Sequence, residues 1–134
     1  MSEENNSAKK LIEALAQANR LLRDHSVNLR RLPYVAKAET SPLEAVVFAN
    51  GPGLEGHVEA VLKRGDVLCW WLYVRSEDNL WSIDATLDRT SGDRQETMSE
   101  LPTATASDFD GLLSTLKRVV GELLALSCSE VETR

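Results

Sequence analysis

Glu55, His57 and Glu59 alternate through one stretch of chain, the closest grouping of carboxylates and imidazole to a metal or acid–base centre in this sequence. On an extended strand they share one face with neighbours ~6.5 to 7 Å apart, which is loose for three ligands on one ion. A solvated strand face that discourages edge pairing accounts for them more simply. The only other histidine, His25, is expected just after an N-terminal helix, where a cation complements the helix dipole. Nucleophile chemistry finds no better footing. Cys69 lies in an apolar run, Cys128 has no histidine near it in sequence, and no serine sits in a GxSxG elbow. Gly51-Pro52-Gly53-Leu54-Glu55-Gly56 matches a dinucleotide fingerprint literally, yet a strand rather than a helix is expected after it, and Pro52 removes a backbone donor. Arg64-Gly65-Asp66 reads as a charged turn around an obligatory glycine. The expectation is therefore a protein without catalytic residues, metal or cofactor.

Composition narrows the remaining classes. The 134 residues carry a formal charge of -6, which opposes broad affinity for nucleic acid or anionic membrane. The charge is uneven: residues 1–53 hold 7 basic and 6 acidic groups, residues 54–134 hold 8 and 15. Arg20, Arg23, Arg30, Arg31 and Lys37 against Asp24 form a local basic stretch, but Tyr34 is its only aromatic, so solubilising charge explains it better than a nucleic-acid site. Neither a CxxC pair nor a disulfide framework is present, and the acidic polar start does not read as a secretory signal. Nothing reaches the ~18 apolar residues of a membrane span. These features together lead to the expectation of a cytoplasmic, unanchored protein, bacterial in style.

The elements that must position these residues follow from periodicity. After a disordered tail at 1–7, Ala8, Leu11, Ile12, Leu15, Ala18 and Leu22 recur at helical spacing, giving an amphipathic helix that ends near Asp24. A second helix, about 107 to 127, is announced by the capping sequence Ser107-Asp108-Phe109-Asp110 and the stripe Leu112, Leu113, Leu116, Val119, Val120, Leu123 and Leu124. Between them the period falls to two over Leu54 to Lys63, Val67 to Arg75 and Leu80 to Asp88, three strands of an antiparallel meander. Ser41-Pro42-Leu43-Glu44 favours a short helix over 41–51 against the strand-like Val46-Val47-Phe48, with a further edge strand near Asn28 to Ala38. Residues 90–106 carry no period and read as a long loop. The result is a single α+β domain over 8–128, a two-layer fold with 3 to 5 antiparallel strands and both helices on one face, followed by a frayed tail at 129–134.

Turn chemistry sets the expected register. A two-residue turn at Arg64-Gly65 and a three-residue turn at Glu77-Asp78-Asn79 place Val58, Ala60, Leu62, Val67, Cys69, Trp71, Tyr73, Trp81, Ile83, Ala85 and Leu87 on the core face. The other face then presents an apolar ridge, Leu68, Trp70, Leu72 and Val74, bordered by Glu55, His57 and Glu59 on one side and Asp84 and Asp88 on the other. Either residues 27–53 fold over this ridge or it is a partner surface, since large apolar patches are rare on monomers.

The function expected from this arrangement is non-catalytic protein binding, with a basic partner suited to the acids and a homodimer through the sheet face as the alternative assembly. In size, low isoelectric point and terminal helices the chain resembles, in general style alone, the immunity proteins of bacterial toxins and the secretion chaperones. Immunity or inhibitor action would set Glu59, Asp84 and Asp88 against basic residues, whereas chaperone action would use Leu68, Trp70 and Leu72 to hold an unfolded segment. The competing class is a small-ligand or sensory domain with a pocket between sheet and C-terminal helix, lined by Trp71, Tyr73 and Trp81. An enzyme is the least favoured.

Overall fold

The computed structural model describes residues 2–49, 51–77 and 80–126. Cys128, the tail at 129–134 and the turn residues Asp78 and Asn79 lie outside the described residues.

The N-terminal helix α1, Ser2–Arg30, starts in the segment expected as a tail and runs on past Asp24. Its apolar stripe explains the extension. Leu15, Ala18 and Leu22 are followed at the same spacing by His25, Ser26 and Leu29, and Ala18, Leu22, Ser26 and Leu29 are buried. Ser26 can be buried in a helix because its hydroxyl donates to the Arg23 carbonyl at 2.7 Å. His25 is consequently inside the helix and not a residue that follows it.

Six strands come next: β1 (Val35–Phe48), β2 (Gly51–Leu62), β3 (Val67–Glu77), β4 (Leu80–Ser91), β5 (Arg94–Glu100) and β6 (Ala104–Ala106), before α2 (Phe109–Ala125). The sheet is an antiparallel meander in the order β1-β2-β3-β4-β5, with β6 also paired to β4. This is the expected α+β architecture, with β1, β5 and β6 added to the three central strands, one strand more than the 3 to 5 expected. Residues 41–48 are strand rather than helix. Pro42 falls where the pairing of β1 with β2 shifts between Ser41 and Glu44, an irregularity in an edge strand that tolerates a missing N–H. The edge strand begins at Val35, beyond Pro33, and not at Asn28. Segment 90–106 is also ordered as strand. Gly92 takes φ +64 in the turn between Ser91 and Arg94, which pair with each other, and β5 and β6 extend along β4.

α2 is capped by Asp108, whose carboxylate accepts from the Gly111 N–H at 2.6 Å. Its stripe of Leu112, Leu116, Val119, Val120 and Leu123 is fully buried. Both helices lie on one face, α1 over β1 and β2 and α2 over β3, β4 and β6, touching each other along their flanks. No helix among the described residues is long and apolar enough to cross a membrane.

The register between the central strands differs from expectation by one residue on each side of β3. Leu62 N–H donates to the Asp66 carbonyl and Gly65 N–H to the Leu62 carbonyl, both at 2.8 Å, so Lys63-Arg64-Gly65 is a three-residue loop with Gly65 at φ +108. The next turn is shorter than expected, since Glu77 pairs with Leu80. Val58 therefore faces Trp70 and not Trp71, and Trp70 in turn faces Leu87. Because side chains alternate with period two, this one-residue shift turns all of β3 over while leaving β2 and β4 as expected. Leu68, Trp70, Leu72 and Val74 are buried in the core with Val58, Ala60, Leu62, Ile83, Ala85 and Leu87. They are not an exposed ridge. Trp70 is 3% exposed, and its indole Nε1 donates to the Leu126 carbonyl at 3.1 Å, tying the sheet to the end of α2.

Candidate functional site

The face of the sheet turned away from the helices is where this shift matters. From β3 it presents Cys69, Trp71, Tyr73 and Arg75, each set in register between a residue of β2 and one of β4: Glu59 and Asp88 beside Cys69, His57 and Thr86 beside Trp71, Glu55 and Asp84 beside Tyr73. The acidic border expected from sequence is in place. The ridge between its two halves is aromatic, built from residues expected in the core. Trp71 and Tyr73 stack with ring centroids 5.8 Å apart and planes within 9°, His57 lies over Trp71 at 4.3 Å, and Phe48 meets Tyr73 edge-on at 6.2 Å. A band of four rings results, crossing from β1 to β3. Neither helix covers it, and residues 27–53 do not fold across it: they complete α1 and supply β1 at the edge of the same sheet.

Close approach of the backbone makes room for this band. A Cβ at Gly53 would collide with the Val74 carbonyl and with the Phe48 ring, so only glycine lets β2 pass beneath that phenyl group. Beside it, Phe48, Tyr73, Arg75 and Asp84 line a hollow of about 280 Å³. Arg75 forms an ion pair with Asp84, whose other carboxylate oxygen accepts from the Thr103 hydroxyl. This pair marks the boundary between the aromatic band and the far end of the sheet.

The electrostatics of the face are dominated by carboxylates. Burial pushes the Cys69 thiol up to about 12, reinforced by Glu59 and Asp88, so the sulfur remains protonated and is a poor nucleophile. Burial also raises the Tyr73 phenol to about 12, with Glu55, Asp88 and Cys69 adding to it. One oxygen of Asp88 is buried without a hydrogen-bond partner, next to Cys69. Glu39 and Glu44 of β1 pair with Glu59 and Glu55 and so extend the acidic field across the sheet. Glu55, His57 and Glu59 share the face but each stands beside a different β3 side chain, and among the described residues no cluster of three such groups is placed to hold a metal ion.

Of the residues proposed from sequence for partner contact, the structure brings Glu55, His57, Glu59, Asp84 and Asp88 together on one face and places Leu68, Trp70, Leu72 and Val74 on the other. Trp71, Tyr73 and Phe48 are the contact candidates that sequence reasoning missed. The pocket pictured between sheet and α2 loses two of its three walls, because Trp71 and Tyr73 point away from α2. No family model, curated protein or solved structure matches this chain.

Proposed function

We propose that the protein is a non-catalytic binding module that captures a basic segment of another protein on the open sheet face. The observation that carries this reading is the aromatic band in which Trp71 and Tyr73 lie between the carboxylates of β2 and β4, extended by His57 on β2 and Phe48 on β1. Lysine and arginine side chains suit both parts. Their cationic heads pair with Glu55, Glu59 and Asp88 and stack on the ring faces, while their alkyl stems cover apolar ring surface. An acidic field also accelerates encounter with a cationic partner and repels acidic ones. The same field disfavours two copies of this face meeting each other, so self-association through the sheet is the weaker alternative. Inhibition of, or immunity to, a basic protein is the form of the function these groups suit. A chaperone role resting on Leu68, Trp70 and Leu72 has lost its residues to the core. The raised Cys69 thiol and the engagement of Asp84 by Arg75 and Thr103 favour binding over catalysis.

The test is a titration of the intact protein with a lysine- and arginine-rich peptide and, separately, with a glutamate-rich peptide of equal length, followed by NMR chemical shifts. Saturable shifts centred on Trp71 and Tyr73 with the basic peptide, weakened about tenfold by Trp71→Ala and by Glu59→Gln, support the reading. Equal response to both peptides, or shifts that map to the helix face, would overturn it.

A further inference from the structure

We propose that the cleft between α1 and the edge strand β1 binds the phosphate groups of a small oligophosphate. The cleft measures about 510 Å³, and Arg20, Arg23 and Arg30 line it together with Asn19, Ser26 and Thr40. At 100° and 1.5 Å per residue, the three arginines fall within about 80° of arc and about 15 Å of axis, so α1 presents them along one flank. The basic stretch noted in the sequence thus divides: these three converge on one concavity, and Arg31 and Lys37 do not line it.

Arg64, Arg75, Arg89 and Arg118 each hold a carboxylate. Among the described residues five arginines hold none, Arg31 and Arg94 besides the three that converge on the cleft, in a chain with an excess of acids. Arg30 is fixed by donating from Nε to the Ala38 carbonyl at 2.8 Å, which leaves its terminal nitrogens as donors. Asn19 accepts the Leu43 N–H on Oδ1 at 2.8 Å, so its amide NH₂ is the part of that side chain left to serve a ligand. The hydroxyls of Ser26 and Thr40 donate to the carbonyls of Arg23 and Leu22. The groups left over are donors with positive charge, the complement of an anion.

The chemistry narrows the anion further. Every cation lining the cleft among the described residues is arginine, whose planar fork matches two phosphate oxygens at once, where lysine would act as a point charge. Arg20 and Arg23 stand one turn apart and can share one phosphate, with Arg30 reaching the next along the cleft. Among the described residues no aromatic ring lines it to serve as a plate for a nucleobase, and recognition falls on the phosphates themselves. A nucleoside triphosphate and an inorganic tripolyphosphate offer that same chemistry.

The experiment is calorimetric titration of the intact protein at physiological ionic strength with inorganic tripolyphosphate and with adenosine triphosphate. One saturable site is expected for tripolyphosphate. Arg20→Gln combined with Arg23→Gln should weaken it about tenfold or more, whereas Arg94→Gln, on the far edge of the sheet, should leave it unchanged. Arg20→Lys with Arg23→Lys keeps the charge and removes the forks, and an intermediate loss is expected; this pair also serves if the glutamine variant fails to fold. Tighter binding of adenosine triphosphate would keep the site and assign the source to nucleotides. Absence of saturation in the millimolar range, an equal loss in Arg94→Gln, or stronger binding of a glutamate-rich peptide would each overturn the proposal.

Discussion

Trp70 and Trp71 are neighbours in the chain and differ in almost everything the fold asks of them. Trp70 lies under α1 and α2, its Nε1 bound to the Leu126 carbonyl and its ring edge-on to His25 at 4.9 Å. Trp71 lies on the open face between His57 and Tyr73. Identical side chains one residue apart thus serve the interior and the surface, and the alternation of a single strand decides which is which. Aromatic content alone cannot separate a core from a contact surface; phase can.

The widest separation between the two faces comes from truncating them in turn. Trp70→Ala should cost about 3 to 5 kcal/mol in urea unfolding, since it empties a fully buried site and frees the carbonyl of Leu126, the residue that caps α2. Were it to cost no more than Trp71→Ala, the assignment of the faces would be wrong. Next in size is Gly53→Ala, where the added methyl group meets the Val74 carbonyl and the Phe48 ring. A loss of about 1 to 3 kcal/mol is expected, read as a lower thermal midpoint. Trp71→Ala should lower stability by about 1 kcal/mol or less while weakening the response to a basic peptide about tenfold, a split between folding and binding that no core residue would show. Smaller again, Arg75→Gln removes a half-exposed ion pair and should change stability by about 0 to 1 kcal/mol, less at high salt, as comparison of denaturation midpoints with and without added salt would reveal.

The smallest change at neutral pH belongs to His25→Leu, and its effect is on the acid side. Burial holds the His25 imidazole below its ordinary 6.5, and its Nε2 has no hydrogen-bond partner. Below pH 6.5 the unfolded chain takes up a proton that the folded chain refuses, so stability is whole above that point and falls as pH drops toward the folded value. His25→Leu should therefore lose less thermal stability than the wild type between pH 6.5 and 5. Parallel curves for the two proteins would show that His25 contributes nothing to the acid response.

How far the sequence was legible depends on where its signals had a phase. β2 and β4 alternate clearly, Val58-Glu59-Ala60 and Ile83-Asp84-Ala85, and their faces could be read. β3 is apolar on both sides, Leu68-Cys69-Trp70-Trp71-Leu72, so periodicity identified a strand without saying which way it faced. The phase then rested on two turn lengths. Each turn differs from its expected length by one residue, in opposite senses, which inverts β3 and leaves its neighbours untouched. β5 escaped notice for another reason: most of its residues are exposed, and pairing with β4, not burial, holds it. The capping pattern at Ser41-Pro42-Leu43-Glu44 was genuine local preference overridden by pairing with β2. α1 runs past its expected end because His25 and Ser26 look polar, although their spacing continues the buried stripe. The acids of the candidate site were legible since they sit on the well-phased strands, and its rings were not.

The two borders of the sheet are finished differently. Along β1, Asn19 and Arg30 of α1 have already taken up the backbone N–H of Leu43 and the carbonyl of Ala38. An incoming strand would find that row of groups interrupted, whereas β5 carries no such cover from either helix. Growth by edge-to-edge pairing is thereby hindered along β1 for as long as the N-terminal helix keeps its grip.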